Sequence, residues 1–442
     1  MNYKDKYGEV FTPHFFIKEM MDDLITYSDI SYSNLTIFEP GAGKGAFFDV
    51  LQNKNNLFKD NYKYIFNEIN AEHLNSLKNI GGNSNKVHYL IKDIFDINLS
   101  FFSKKIDLVI GNLPFNTNEK KFVPSLSINN KDDKKITKPK SITLWPKIVH
   151  FCFQHLLKDN GYFFAIIPCI WLKKDKDKIY SLFTKENTII FIKIFDSVSA
   201  NKIFKYNCQT PICYVLVQKT PPSKNTPPSF YLYDKHISKY SLFTLENSAD
   251  LDLCIPTNHI GLFIKHREFL TNQNCSSCYD KLLKISTLNP ECLKGTITKF
   301  TKGGLENFDC NNGNNVFKII TGALFNKKSD KLSLNGFASS KPCLYYGKPK
   351  LILPHKRLAK FFKDYNGEYS CFGRDFYVFL CEKKEDIDKL YDFFNIPVVN
   401  KMIQDGFTIR MNFIEKYVFQ YIPWIFDSNF DDANYQELLM EL

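Results

Sequence analysis

Arginine is nearly missing from this 442-residue chain: only Arg267, Arg357, Arg374 and Arg410 stand among its 58 basic residues, all in the second half. Long apolar runs are missing too. No window reaches the roughly 18 uninterrupted apolar residues that a membrane span needs. Met1-Asn2-Tyr3-Lys4-Asp5 opens no signal peptide, and the 12 cysteines, spread from Cys152 to Cys381, follow no regular framework. A secreted, membrane-spanning or disulfide-scaffold protein is therefore not expected. The cysteines read as reduced thiols in a cytoplasmic protein.

What is present is a chain able to fold: 44% of residues are hydrophobic and 24% charged, enough for two or three ordinary domains. The net charge of +11 is unevenly spread. Residues 1–224 hold 31 Lys and Arg against 22 Asp and Glu, and the remainder 27 against 25. The excess of Lys, Asn and Phe fits an A+T-rich coding sequence. Against that bias, the confined arginines suggest sites where a planar two-pronged donor is required.

Thr12-Pro13 followed by Ile17, Met20, Met21 and Leu24 predicts a helix with Thr12 at its N-cap and Pro13 at its first position. Strands are predicted at Leu35–Glu39, Tyr64–Glu68, Val87–Ile91, Ile106–Ile110, Tyr162–Pro168 and Ile189–Phe195. Helical stretches such as Leu144–Lys158 separate most of them. Such alternation predicts an α/β fold with a mostly parallel, doubly wound sheet. Two further strand-like runs, Ser197–Phe204 and Ile212–Lys219, could close its edge as an antiparallel pair. Two Pro-Pro pairs within Lys219–Ser229 mark a domain boundary, giving a first domain at 1–219, a linker at 220–229 and a second domain at 230–442. Beyond the linker the texture turns to short strands, Gly-rich turns and helix candidates at Ile264–Leu270 and Glu385–Phe394.

The first strand runs into Glu39-Pro40-Gly41-Ala42-Gly43-Lys44-Gly45-Ala46, where Gly41, Gly43 and Ala46 match the G-x-G-x-x-G/A spacing. Small residues there permit a tight turn and close approach of a ligand, or simply a strand-to-helix turn. It is no P-loop, since Lys44 precedes Gly45 rather than Ser or Thr. Glu68-Ile69 ends the second strand, where a carboxylate can accept both ribose hydroxyls. Asp93-Ile94 ends the third, where a carboxylate can accept from an adenine amino group. Either acid alone is more often a cap or surface residue. Together, three ligand-type groups stand on the carboxyl edge of one sheet, where such folds bind ligands.

The fourth strand ends in Gly111-Asn112-Leu113-Pro114-Phe115-Asn116. This segment resembles the Asn/Asp/Ser-Pro-Pro-Tyr/Phe motif of the S-adenosylmethionine-dependent N6-adenine methyltransferases. The resemblance implies an adenine amino nitrogen as acceptor of the methyl group, a poor nucleophile because its lone pair is delocalised into the ring. A side-chain carbonyl at Asn112 and the backbone carbonyl of Leu113 would accept its two hydrogens, while Phe115 would stack on the base. Gly8-Glu9-Val10-Phe11-Thr12-Pro13, the stretch Leu144–Trp171 and the strand pair ending in Gln209–Val217 are similar to the gamma class of DNA methyltransferases, as used in type II restriction-modification. The resemblance is specific over about residues 7–219.

It implies a Rossmann-like methyltransferase sheet with a C-terminal α+β target-recognition domain, and site-specific adenine-N6 methylation of DNA (the EC 2.1.1.72 reaction). S-adenosyl-L-methionine would lie against Thr12, Pro13, Glu39, Pro40, Gly41, Gly43, Glu68, Ile69, Asp93, Ile94 and Asn112. Asn112, Leu113, Pro114 and Phe115 would hold a base flipped out of double-stranded DNA. A cognate restriction endonuclease is a plausible partner; a membrane is not. Leu113 departs from the DNA-modifying pattern, and Asn-Leu-Pro-Tyr/Phe is the form of rRNA adenine dimethyltransferases. RNA therefore remains open as substrate, as does a non-catalytic DNA-binding subunit.

Between Asn116 and Lys140 lie seven lysines and three acids. Lys120 and Lys121 belong either to a solvated loop or to one that closes over phosphates. Arg357 and Arg374 suit base edges or phosphates, or a salt bridge such as one to Asp375. Cys275-x-x-Cys278 has no second pair at zinc spacing, so no metal is expected.

Overall fold

The computed structural model describes residues 10–31, 34–53, 62–82, 84–102, 105–116, 143–205, 208–246, 252–283, 291–294, 297–300, 305, 317–326, 331–355, 360–372, 376–409 and 413–442. The chain divides into two compact units. One runs to Tyr233 and resumes over Ile237–Ile255; the other comprises Asp234–His236 and Pro256–Leu442.

The first unit is built on a nine-stranded sheet: β1 Thr36–Pro40, β2 Lys63–Glu68, β3 Val87–Ile91, β4 Ile106–Asn112, β5 Leu157–Pro168, β6 Thr188–Phe195, β7 Ile212–Gln218, β8 Ser229–Asp234 and β9 Lys239–Thr244. The order is β3-β2-β1-β4-β5-β7-β6-β8-β9. Strands β1 to β5 pair in parallel, and β7 runs antiparallel to both neighbours. This is the Rossmann-like α/β sheet expected, with the reversed strand β7 set between β5 and β6. The order in which strands are added reverses between the parallel neighbours β1 and β4, so the carboxyl ends of these two strands form the switch-point crevice.

Burial explains why these runs are strands. Ile37, Leu108, Ile110, Phe164 and Ile166 lie in one core with helices α1 (His14–Tyr27) and α2 (Ala46–Asn53). On the other face Phe163 meets Phe153 and Phe183. Strands covered on both sides read as continuous apolar runs rather than alternating ones. Each fully buried Phe or Ile contributes about 1.5–3 kcal/mol.

Several expectations are corrected. Thr12 is not the N-cap of α1: the helix starts at His14, Pro13 sits in the cap position, and no side chain caps it. Thr12 bonds elsewhere, as described below. Ser197–Phe204 is not a strand but helix α3 (Ser197–Ile203), because the Asp196 carboxylate accepts from Ser199 N at 2.8 Å, and this cap outweighs the strand preference of Val198. β7 is accordingly not one of an edge pair; it lies inside the sheet. The predicted helix Leu144–Lys158 is regular only over Trp145–Phe151. One wide turn at Cys152–Leu156 follows, and Leu157 already begins β5. Ile148, Cys152 and Leu156 stay buried through that change.

The proline pairs form no strand or helix, and the sheet runs on past them into β8 and β9. Tyr240 of β9 donates to Asp23 of α1 at 2.6 Å, and Tyr214 of β7 donates to the same carboxylate. Lys193 of β6 lies 3.4 Å from it, with its ammonium over the Tyr233 ring.

The second unit is α+β. A four-stranded sheet has β12 (Lys331–Ser339) and β11 (Phe317–Asn326) at its centre, flanked by β10 (Ile297–Phe300) and β15 (Tyr369–Cys371). A three-stranded sheet centres on β13 (Lys350–Pro354), between β14 (Phe362–Asp364) and β16 (Phe376–Leu380). Helices α4 (Ile260–Gln273) and α5 (Lys384–Asn395) contain the two predicted helical runs. Lys350 and Asp364 form a fully buried ion pair at 2.8 Å. Nine described cysteines are free. Cys343 is disulfide-bonded, which departs from the reading of all 12 as thiols and which no spacing in the sequence foretells.

Candidate active site at the switch point

The carboxyl end of β1 passes into a turn that only glycines can make. Gly41, Gly43 and Gly45 all adopt left-handed φ, at 72°, 57° and 83°. A Cβ on Gly41 would stand 3.3 Å from Cδ of Pro114, so the missing side chain lets the turn after β4 lie against the turn after β1. A Cβ on Gly43 would stand 3.6 Å from the Phe11 ring. The Lys44 ammonium lies 5.1 Å from the centre of that same ring.

The turn's amides are bound within the protein. Gly41 N and Ala42 N both donate to the Asn67 carbonyl at 2.9 Å, Gly43 N donates to Glu68 Oε2 at 2.7 Å, and Gly45 N donates to the Ala42 carbonyl at 2.9 Å. Glu68 Oε1 accepts from Asn70 N at 2.8 Å. Glu68 thus braces the turn while each of its oxygens retains a further lone pair.

Glu39, at the end of β1, is 1% exposed and accepts from the Tyr64 hydroxyl at 2.6 Å. Burial is the main cause that pushes its carboxyl up to about 8. The Tyr64 bond opposes the rise and the neighbouring Glu68 adds to it. The α-carbon of Gly111 packs above it: a Cβ there would be 3.6 Å from Glu39 Cγ.

Asn112 ends β4. Its amide nitrogen donates to the Val10 carbonyl at 3.3 Å and to Thr12 Oγ1 at 3.2 Å. Its Oδ1 is buried and has no hydrogen-bond partner among the described residues. Leu113 is buried, with its N–H on the Ile166 carbonyl of β5 at 3.4 Å, while Pro114 and Phe115 are half-buried. The Phe115 carbonyl accepts from Leu144 N at 2.9 Å.

Thr12, Glu39, Gly41, Gly43, Glu68, Asn112 and Pro114 therefore join in one contact network, through Phe11 and Gly111. Asp93 stands at the end of β3, where its carboxylate caps the following turn by accepting from Phe95 N at 3.0 Å. Ile94 is buried beside it, and Ile69 is exposed at the end of β2. Lys120, Lys121, Arg357 and Arg374 lie outside the described residues. Two contributors carry no recognisable sequence signal: Asn67, whose carbonyl anchors the glycine turn and whose side chain bonds the Lys92 carbonyl at 3.0 Å, and Tyr64. Among the described residues no group of three or more His, Cys, Asp or Glu could hold a metal. No helix among them is long and apolar enough to cross a membrane.

No family model matches the sequence, and no curated protein matches it. Solved structures do. A type I restriction-modification methyltransferase subunit from Streptococcus thermophilus is 16% identical, with a TM-score of 0.38 over 60% of this chain and 54% of that one. The EcoKI M protein of a type I restriction enzyme is 14% identical, at 0.34 over 50% and 48%. The type IIG restriction endonuclease BpuSI is 12% identical, at 0.43 over 98% and 61%. The chain spans about half to three-fifths of the length of these proteins, and likenesses this distant carry no statement about activity.

Proposed function

We propose that this chain methylates the exocyclic N6 amino group of adenine in double-stranded DNA, using S-adenosyl-L-methionine. The buried Oδ1 of Asn112, which has no hydrogen-bond partner among the described residues, carries the reading. A buried acceptor without a donor costs about 1–3 kcal/mol, and an amino group arriving at the switch-point crevice would satisfy it.

The residues present fit that cofactor. The amides at positions 41 to 43 are already bound to protein acceptors, which suits a nucleoside ligand without phosphates better than a dinucleotide. Glu68 retains lone pairs for ribose hydroxyls. Glu39, a buried acid otherwise held neutral, suits the ammonium of a methionine moiety. Asp93 would take the cofactor's adenine beside Ile94, with Ile69 along the nucleoside and Thr12, Pro13 and Pro40 lining the methionine end. When bound, that cofactor supplies a methyl group on a cationic sulfur, released as a neutral thioether once the base nitrogen takes the methyl.

The chain's own residues do the rest by positioning. Asn112 Oδ1 and the Leu113 carbonyl accept the two N6 hydrogens, drawing the lone pair out of the ring. Pro114 stiffens the turn and Phe115 stacks on the extruded base. The surplus proton of the methylated nitrogen passes to solvent. The α+β unit is assigned target recognition, with Arg357 and Arg374, and Lys120 and Lys121 of the first unit, as candidate DNA contacts. A cognate endonuclease is the expected partner.

A second reading rests on one residue. Leu113, where DNA-modifying enzymes of this pattern carry proline, favours adenine in structured RNA. Tritiated methyl transfer onto unmethylated A+T-rich DNA and onto total RNA, followed by nucleoside analysis, tests both. N6-methyladenine in DNA supports the first reading and dimethyladenine in RNA the second. Transfer that survives Asn112→Ala combined with Phe115→Ala removes the proposed site altogether.

A further inference from the structure

We infer that Thr12, together with the backbone carbonyl of Val10, locks the Asn112 amide with its oxygen toward the substrate, making Thr12 a positioning residue for methyl transfer; this rests on the reading above. An asparagine amide has a donor end and an acceptor end that differ little in shape, so chemistry must choose which one faces the ligand. The Val10 carbonyl can only accept. The end of Asn112 lying 3.3 Å from it is therefore the NH2 group, and the Thr12 hydroxyl takes the other hydrogen at 3.2 Å. Both donors are thereby used up, and Oδ1 is left as a buried acceptor with no partner among the described residues.

The sequence pattern gives Thr12 a different task, capping the first helix, and the structure frees it from that task. Pro13 occupies the cap position, and Thr12, only 8% exposed, turns inward instead. Without the hydroxyl, one of two anchors is gone and the amide can rotate, bringing NH2 toward the substrate. An exocyclic amine would then meet a donor, and a base carrying a carbonyl at the same place would be favoured. The lock is in this sense a device for choosing amino-bearing bases. Because Phe11, between the two anchors, lies over Gly43, one short segment fixes both the glycine turn and the acceptor.

The test uses the full chain with Thr12→Val and Thr12→Ser. Thr12→Val should lower the single-turnover rate at saturating cofactor roughly ten- to hundredfold. Because Thr12 also lines the methionine end, cofactor Kd can rise several-fold; the rate at saturating cofactor reads the lock apart from that loss. Thr12→Ser, which keeps the hydroxyl, should restore the rate to within a few-fold. In an Asn112→Ala background Thr12→Val should add nothing, since two residues acting as one unit are not additive. The inference is overturned if Thr12→Val weakens cofactor binding and leaves the rate intact, if it multiplies the Asn112→Ala loss, or if it changes nothing. Should Thr12→Val melt too low to assay, Thr12→Ala removes the same hydroxyl with less bulk and is judged identically against Thr12→Ser. A wild-type chain that transfers no methyl group defeats the enzymatic reading and this inference together; an active wild type with an equally active Thr12→Val defeats this inference alone.

Discussion

The Tyr64 hydroxyl donates to Oε2 of Glu39 at 2.6 Å, both side chains being shut away from water. Burial pushes the Glu39 carboxyl from an ordinary 4.5 to about 8. Between those values the folded chain holds a proton that the unfolded chain has released, so stability falls as pH rises. The contribution is whole below about 4.5 and gone once pH has passed through about 8. The shift corresponds to a few kcal/mol across the window. Glu39→Gln, which imitates the protonated acid, should flatten the decline in Tm between about pH 5 and about pH 9. Equal slopes for the two proteins would contradict this.

Gly41 is the tightest point between the two turns. Gly41→Ala meets both a left-handed φ of 72° and Pro114 at 3.3 Å. Gly43→Ala meets a comparable φ of 57°, with only ordinary contact to Phe11. Each should cost about 1–2 kcal/mol of stability through backbone conformation. Only Gly41→Ala should also shift the Asn112–Pro114 turn and depress methyl transfer beyond that. Comparing transfer rates of the two variants at matched folded fraction decides it, and equal rates would count against the role given to Pro114.

Phe115→Ala should reduce kcat/KM for the nucleic acid, since stacking on one base contributes about 1–3 kcal/mol. Cofactor affinity should be unaffected, and Phe115→Tyr should keep most of the activity. Loss of cofactor binding in Phe115→Ala would move this ring to the other ligand.

In the second unit, Lys350→Met leaves the Asp364 carboxylate buried without its cation. Among the described residues Asp364 then keeps the amides of Glu368 and Tyr369, at 2.8 and 3.0 Å. The expected loss is about 3–5 kcal/mol, read from urea unfolding. A loss below about 1 kcal/mol would mean that water reaches the pair.

Much of the sheet was legible because its strands are covered on both faces, which forces apolar runs such as Ile106–Ile110 into the sequence. The glycine turn was legible for a related reason: positive φ at three nearby positions leaves little choice of residue. Ser197–Ile203 was misread because Val198, Ile203 and Phe204 suggest a strand, while the deciding group, the Asp196 carboxylate, is one local cap. Thr12 was misassigned because its partner lies 100 residues away and no local pattern encodes it. Asn67 stayed hidden because what it lends the turn is a main-chain carbonyl, which every residue type possesses.

The bond between Asp23 and Tyr240 spans 217 residues and bears on the order in which the protein is made. Helix α1 emerges from the ribosome about 200 residues ahead of β9, carrying Phe16, Ile17, Met20, Met21 and Leu24 on one face, yet the strands that seat its far end are the last of their sheet to be made. Until β9 exists, that greasy face has nowhere complete to rest. Nascent chains halted at the proline pairs should expose it to protease, and chains extended beyond Thr244 should protect it.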